Sequence, residues 1–524
     1  MRVRRRFFAP RLDAPFPLWM IFPVIFAALY ATHFSLLRLP YYWDEAGYYI
    51  PAAWDFFRTG SLIPITTLSN AHPPLPSIYL ALWWKASGFI PEVTREAVLI
   101  VASFGLLAVW RLAIRVNGAA IVAFWTVVLT AIYPIWFAQS TLAHADIFAA
   151  ACTLWGLVYA LPERNRNPWA AAVWFAAAAL SKETAIAIPL TLAVISFGAG
   201  FRVLSPARSR LWREAAWLAG SILPLCAWYA YHYAKTGFIF GNPQYLRYNA
   251  ESTLEPVRIL AAFGHRVLHL TAHMNLFVPV LMTFAALLLK PRSDADGHEI
   301  SGVSQPVQRR ILLLLLVNAL EFSVLGGALL TRYLLPMYPL VLLLAVSTFH
   351  RREPAWQGLA VFSAAAFVVG LFINPPYRFA PEDNLAYARV IRMHMAGLEH
   401  LKAHFRDATV LSAWPMTDEL SRPELGYVAE PHKVYRLEDF TATEIARAAA
   451  EPRDYSAGLV FSTKYDPPTI GLSLGPASES LDEQYFGLHH DLPPEAIAAA
   501  LHGTVVWKKE DRGMWIALIG FGKL

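Results

Sequence analysis

The stretch "YYWDEAGYY" (residues 41–49) places two adjacent carboxylates, Asp44 and Glu45, among aromatic side chains just after the first long apolar segment. Ionisable residues at a membrane boundary are costly, and they are candidates for function by default. Two interpretations stay open here. The acids cap the following helix, where a negative charge in the first turn suits the helix dipole, or they bind or react with a substrate.

The composition indicates a membrane protein. Of the 524 residues, 56% are hydrophobic and 16% are charged, whereas soluble domains carry about 25% charged residues. The net charge of +6 comes from short basic clusters between apolar segments, so we expect membrane lipids as partners and no nucleic acid. Both cysteines, Cys152 and Cys226, lie in apolar segments and predict no disulfide framework.

Eleven segments have the apolar character of a membrane span, which needs about 20 residues. They are residues 16–37, 97–116, 119–137, 142–161, 169–181, 184–201, 214–233, 267–289, 311–329, 331–349 and 356–373. The expected fold class is mainly α, a polytopic membrane protein with about eleven transmembrane helices and a small C-terminal α/β soluble domain. The first apolar segment lacks a clear cleavage site for a signal peptide, so we predict a retained span.

The segment Pro74–Trp84 decides the predicted topology, because its length suits an interfacial helix better than a span. If it does not cross the membrane, the basic clusters all fall on one side, as the positive-inside rule favours. These clusters are Arg2 to Arg6, Arg111/Arg115, Arg164/Arg166, Arg202 to Arg213, Lys290/Arg292/Arg309/Arg310 and Arg351/Arg352. We therefore predict a cytoplasmic N-terminus and an external C-terminus.

Two domains are predicted. Residues 1–373 form a transmembrane domain with a first outer loop at about 38–96, and residues 374–524 form an extracytoplasmic α/β domain. In the latter, "DNLAYARVIRMHMAGLEHLKAHF" has helical periodicity, and "ATVLSAWP" and "AGLVFST" are typical of buried strands. "TVVWKKEDRGMWIALIGF" predicts a hairpin that turns near Asp511–Gly513.

This topology gathers polar residues at the outer face, where we expect them to share one cavity. They are Asp44, Glu45 and His72 in the first loop, His144 and Asp146 in a short turn, Lys182 and Glu183 between two short spans, Tyr245 and Arg247 in "FGNPQYLRYN", and Arg332 in "TRYLLP".

Structural interpretations exist for these residues as well. His72 precedes Pro73 and fits a turn, and Asp146 fits a charge at a helix N-terminus. Lys182 and Arg332 fit snorkelling anchors. Together these interpretations require several independent coincidences on one face, so a shared site is favoured.

The order of five motifs over residues 16–350 resembles a known family. "WDEAGYY", "HPPLPSIYLALWW", "AQSTLAHAD", "LSKETAIAIPL" and "RYLLPMYP" occur as in GT-C type glycosyltransferases. The likeness is greatest to the bacterial branch related to protein O-mannosyltransferases and aminoarabinose transferases (glycosyltransferase family 39-like).

The resemblance implies a multi-pass protein of the bacterial inner membrane with an outward-facing site. It implies an inverting transfer of one hexose or pentose from a polyprenyl-phosphate donor to a glycan, lipid or protein acceptor. It also implies that Asp44 is the catalytic base. Aminoarabinose transferases carry a lysine where this chain has His72, so we expect a different donor sugar.

The residues themselves fit this chemistry. A carboxylate can remove the proton of an acceptor hydroxyl, and cations can stabilise a departing phosphate. Asp44, with Glu45 and Asp146, forms the candidate catalytic set. The candidate donor and phosphate ligands are His72, Lys182, Arg332, Tyr245 and Arg247. Asp146 orients the acceptor or, with Asp44, holds Mg²⁺ or Mn²⁺, which prefer oxygen ligands.

Two alternatives remain at this stage. A transporter or lipid flippase would place charges along a path through the membrane, whereas here they gather at one face and no repeat is evident. An oligosaccharide ligase or polymerase with a diphosphate-linked donor would share the outer site but need more cations.

Overall fold

In the computed structural model, residues 17–294, 296–452, 454–467 and 476–522 are described. The predicted basic cluster at Arg2–Arg6 lies outside them. The N-terminal part is helical. Its helices are α1 (Leu18–His33), α2 (Ile50–Thr59), α3 (Leu75–Ser87), α4 (Pro91–Asn117), α5 (Ala120–Ile132), α6 (Pro134–Gln139), α7 (Ala145–Ala160), α8 (Pro168–Ser181), α9 (Ala187–Gly200), α10 (Ala207–Gly220), α11 (Leu223–Thr236), α12 (Pro243–Leu246), α13 (Pro256–Thr271), α14 (Phe277–Leu287), α15 (Gln305–Val324), α16 (Tyr338–Arg352) and α17 (Trp356–Phe372).

By length and apolar composition, three helices of the described chain could each cross a membrane. They are Leu18–Leu36, Pro91–Asn117 and Glu183–Gly200. A fourth results if the bent pair Pro256–Asn275 and Phe277–Leu287 forms one span. Each of the eleven predicted spans coincides with one helix or a pair of consecutive helices.

The predicted span 267–289 is not one straight helix. The two halves of the pair lie at 98° to each other, because Met274 (φ 49°) and Asn275 (φ 66°) adopt left-handed backbone conformations that end the first helix. Similarly, the predicted span 331–349 starts with a separate short turn, Thr331–Leu334, and its α-helix begins at Tyr338.

α3 is a helix of 13 residues, about 20 Å long at about 1.5 Å per residue. A bilayer core of about 30 Å is longer than this helix. α3 packs against α2 and α4, and Trp84 donates a hydrogen bond to Thr94 at 2.9 Å. Its length is that of the interfacial helix expected from the sequence.

The C-terminal part combines helices with one five-stranded sheet in the order β2-β1-β3-β5-β4. β1 runs parallel to β2 and β3, and β5 runs antiparallel to β3 and β4. The elements are α18 (Ala386–His404), β1 (Val410–Ala413), α19 (Met416–Ser421), β2 (Val434–Leu437), α20 (Ala442–Ala450), β3 (Ala457–Phe461), α21 (Pro476–Phe486), α22 (Pro494–Ala500), β4 (Thr504–Asp511) and β5 (Met514–Gly520).

The C-terminal part packs directly on the first loop. The rings of Trp43 and Trp414 meet edge to face at 5.0 Å, and those of Tyr42 and Tyr387 lie 5.9 Å apart. Buried residues around α1 and α6, among them Leu36 and Phe137, belong to the same hydrophobic core as β1, β3 and β5. This contact brings C-terminal residues to the predicted site.

Candidate active site

The adjacent acids of "WDEAGYY" have different surroundings. They lie at the start of a π-helical turn, Glu45–Tyr49, which continues into α2. The preceding residue, Trp43, has a left-handed backbone (φ 46°), a conformation that costs energy in a non-glycine residue. The Asp44 side chain is 35% exposed and lines a large cavity.

Glu45 is fully buried and is not among the residues lining that cavity. It accepts hydrogen bonds from the backbone amides of Tyr42 (2.9 Å) and Ala143 (2.6 Å). It also forms an ion pair with Arg95 at 3.3 Å, and neither side chain is exposed. Arg95 in turn donates to the carbonyls of Leu39 (2.9 Å) and Thr141 (2.7 Å). Glu45 thus ties the first loop to neighbouring elements.

Arg332 is the centre of the charged cluster. It sits in the turn Thr331–Leu334 and is 2% exposed. Its Nη2 donates to Asp44 and its Nη1 donates to Glu382, while its Nε lies 3.2 Å from Asp146 Oδ2. Three carboxylates distant in sequence therefore surround one guanidinium.

Lys182 shares one of these carboxylates. Its Nζ lies 2.5 Å from Asp146 Oδ1 and 3.9 Å from the centre of the Tyr333 ring. The break between α8 and α9 places Lys182 in extended backbone (φ −149°). Lys182 and Arg332 both line the cavity, whereas Asp146, the carboxylate that they share, is buried behind them and is not a lining residue.

A second polar group borders the same cavity. His72 Nδ1 lies 3.1 Å from Glu183 Oε2, and His72 Nε2 lies 3.4 Å from the Tyr245 hydroxyl. All three line the cavity. Arg247, by contrast, is exposed and is not a lining residue. Of the predicted donor ligands, the structure brings four together and leaves Arg247 apart.

The cavity measures about 1810 Å³ and is bounded by both parts of the chain. Sites for one small molecule usually measure about 300–1,000 Å³, so this volume suits two substrates. Its wall includes the apolar side chains of Ile186, Leu225, Phe322 and Leu325, and the centre of the Phe322 ring lies 6.0 Å from Lys182 Nζ. The arrangement joins a charged end to a surface suited to a hydrocarbon chain.

The sequence analysis missed Glu382 and Asp383. They form a short turn between α17 and α18, and both are buried. Thr331 donates to Asp383 Oδ1, and His273 Nε2 lies 2.8 Å from Asp383 Oδ2. Two consecutive acids directly after the last apolar segment, "INPPYRFAPED", are a signal of the same kind as Asp44–Glu45.

A row of histidines was also missed. His265, His269 and His273 recur every four residues along α13 and the turn after it, and all three line the cavity. The spacing places them on one helical face. The sequence pattern "GHRVLHLTAHM" carries this signal.

Burial shapes the electrostatics of the cluster. It raises the pKa of Glu382 to about 8, although Arg332 acts in the opposite direction. His144 is also buried, and its Nδ1 lies 2.8 Å from Gln139 Oε1.

The side chains around Asp44 and Asp146 do not fit a divalent metal. Arg332 contacts both carboxylates, and Lys182 lies 2.5 Å from Asp146. A metal ion between the two acids would lie against two cations, which Coulomb repulsion opposes. Among the described residues, one group of three side chains could by its spacing hold a metal ion. It lies in the linker between α14 and α15, is exposed, and consists of Asp294, Asp296 and His298.

No protein-family model and no curated protein matches this chain. Among solved structures, ArnT from Cupriavidus metallidurans bound to undecaprenyl phosphate matches with a TM-score of 0.53 and 14% identity, over 95% of this chain and 97% of that one. The apo state of the same protein matches with a TM-score of 0.51 and 13% identity, over 96% and 98%. The predicted resemblance to GT-C type glycosyltransferases of the aminoarabinose transferase branch is confirmed at the level of the fold.

Proposed function

We propose that this protein is an inverting membrane glycosyltransferase that moves a single sugar from a polyprenyl-phosphate donor to a glycan, lipid or protein acceptor. The observation that carries the proposal is the position of Asp44. It is a partly exposed carboxylate on the wall of a two-substrate cavity and contacts Arg332, and Lys182 lines the same cavity. The fold is shared with a protein that binds undecaprenyl phosphate.

The reaction assigns each group a task. The acceptor hydroxyl attacks the anomeric carbon while Asp44 removes its proton. The bond between that carbon and the phosphate oxygen breaks, and polyprenyl phosphate leaves with the electron pair. Lys182 and Arg332 stabilise the negative charge that develops on this oxygen, with His72 as a third contact. Attack opposite the leaving group inverts the anomeric carbon.

The charge of the cluster favours a monophosphate-linked donor over a diphosphate-linked one. Asp44 and Asp146 already neutralise much of the charge of Arg332 and Lys182. A diphosphate would bring more negative charge to this cluster than a monophosphate. The structure therefore supports transfer of a single sugar better than an oligosaccharide ligase or polymerase.

The proposed location is the inner membrane of a bacterium, with the cavity open to the outer face. The apolar side chains beside Lys182 would hold the polyprenyl tail. The C-terminal part would lie outside the membrane. In this arrangement the donor enters the cavity from the bilayer, and the acceptor enters it from the external side.

Transfer of labelled sugar in membranes tests the role of Asp44. We expect Asp44→Asn to lower the transfer rate by about 10²–10⁴-fold, because a general base contributes about that much, while donor binding is retained. Glu92→Gln is a matched control, because Glu92 is a carboxylate of similar exposure (31%) that pairs with Arg38 at 3.3 Å. Near wild-type transfer by Asp44→Asn would contradict the proposal.

A further inference from the structure

Glu382 contacts Arg332 at Nη1, whereas Asp44 contacts it at Nη2. The side chains of Asp146 and Glu382 are 2% and 4% exposed, whereas that of Asp44 is 35% exposed. Arg332 is thus fixed by two buried acids and reached from the cavity beside Asp44. A phosphate that binds Arg332 must share it with these carboxylates.

The charge balance of this cluster opposes an anionic ligand. Arg332 and Lys182 supply two positive charges, while Asp44, Asp146 and Glu382 supply three negative charges when all are ionised. A sugar-linked phosphate diester adds one more negative charge. Because the cluster is buried, solvent screens this excess weakly. Uptake of one proton by a carboxylate would return the net charge of the cluster to its value before the phosphate bound.

Glu382 is the carboxylate suited to take that proton. Asp44 must stay ionised to act as a base, and Asp146 has two cationic partners, Lys182 at 2.5 Å and Arg332 at 3.2 Å. Glu382 has Arg332 as its one cationic partner among the described residues, and the acid Asp383 follows it in the chain. Burial raises the pKa of Glu382 to about 8, in agreement with this assignment.

We propose that Glu382 is protonated in the complex with the donor phosphate and that, at alkaline pH, it takes up this proton from solvent on binding, which releases the Nη1 N–H groups of Arg332 to the phosphate. The inference rests on the proposed function, since it requires a phosphate on Arg332. The proton moves from water to a carboxylate oxygen on binding and returns to water on release. Glu382 is therefore a positioning residue that acts through Arg332 and does not touch the sugar.

Of the titratable groups around Glu382, we expect Glu382 itself to change its protonation state when the phosphate binds. The titratable and charged residues around it are Tyr42, Asp44, Asp146, His273, Arg332, Asp383 and His394. Burial keeps Tyr42 neutral by raising its pKa well above its ordinary value. His273 is engaged by Asp383 at 2.8 Å, and His394 is engaged by Glu419 at 2.8 Å.

Binding of undecaprenyl phosphate to the full-length protein in detergent micelles tests the inference. The pH range should run from about 7 to about 9.5, above the phosphate's own second pKa of about 6. Above a pKa of about 8 the free protein loses the proton that the complex keeps. Wild-type affinity should then fall by up to about tenfold per pH unit.

Glu382→Gln is permanently neutral and so mimics the protonated carboxyl. We expect its affinity to match that of the wild type at about pH 7 and to stay constant as the pH rises. Glu214→Gln is the matched control, because Glu214 is a buried carboxylate that pairs with Arg166 at 3.0 Å and is not a lining residue of the cavity. It should keep the wild-type pH dependence.

Calorimetry in buffers of different ionisation heat counts the protons directly. Wild-type protein above about pH 8 should take up a fraction of a proton approaching one per bound phosphate, and Glu382→Gln should take up none. Absence of proton uptake by the wild type, or an equal pH dependence in Glu382→Gln, would overturn the inference alone. Absence of undecaprenyl phosphate binding at every pH would overturn the proposed function as well.

Discussion

Glu45 and Arg95 form an ion pair from which water is excluded, and this pair explains why one acid of "WDEAGYY" is unavailable to a substrate. The Glu45 carboxylate receives two backbone amides in addition to Arg95. Such a group joins the first loop to α4 and to the turn before α7. The adjacent Asp44 has no backbone donor among its described contacts and reaches the cavity.

We expect Glu45→Gln to destabilise the protein by about 3–5 kcal/mol, because removing one partner of a buried pair leaves the other charge uncompensated. Thermal unfolding in detergent measures this loss. Folded Glu45→Gln should still transfer sugar more rapidly than Asp44→Asn. A variant with wild-type stability and no transfer would instead place Glu45 in the chemistry.

At the scale of elements, Gly47 lies where the π-helical turn meets the C-terminal part. A Cβ added there would lie 2.8 Å from Cζ2 of Trp414, closer than carbon atoms approach without strain. Trp414 also packs against Trp43. The glycine therefore permits close docking of β1 and its following turn on the first loop.

Gly47→Ala should lower the free energy of unfolding by about 1–3 kcal/mol, since overpacking costs about that much. Gly264→Ala is the matched control, because its added Cβ meets nothing within 4 Å in α13; alanine should stabilise that helix by up to about 1 kcal/mol. Thermal unfolding of both variants in detergent compares them. Equal stabilisation by the two substitutions would show that Trp414 moves aside freely.

Periodicity and apolar length predicted the apolar helices and four of the five strands, because these depend on local sequence, whereas β2 and the helices α19 to α22 were not predicted. The hairpin expected near Asp511–Gly513 is confirmed by the pairing of Asp511 with Met514. The bend at Met274 was missed, since methionine rarely adopts the left-handed backbone and only the following Asn275 is of a type that tolerates it. Local pattern did not reveal that break.

The site was predictable only where its residues belong to local sequence motifs. Motifs on the helical part identified Asp44, Lys182 and Arg332 as members of one cavity. Glu382 is 50 residues from Arg332 and belongs to a segment assigned to a separate domain by its polarity. Long-range docking, which single-sequence patterns do not encode, brings it to the cluster.

At the scale of the whole molecule, the two parts of the chain share a hydrophobic core and one site. Leu36 and Phe137 pack with the sheet of the C-terminal part, and Glu382 enters the charged cluster from it. The cavity is closed on one side by residues after α17. The proposed topology accordingly places the C-terminal part on the same side of the membrane as the first loop.

Because of this contact, reporter fusions can test the predicted topology. If α3 is too short to cross, the loop before it and the C-terminal part both face outward, and the basic clusters in the intervening linkers face the cytoplasm. A reporter that is active only in the periplasm, fused after Leu524, should be active. A reporter that is active only in the cytoplasm should be inactive at that site and active in the linker between α14 and α15, near Asp294. The reverse pattern would contradict the external site and would require an additional crossing in the helical part.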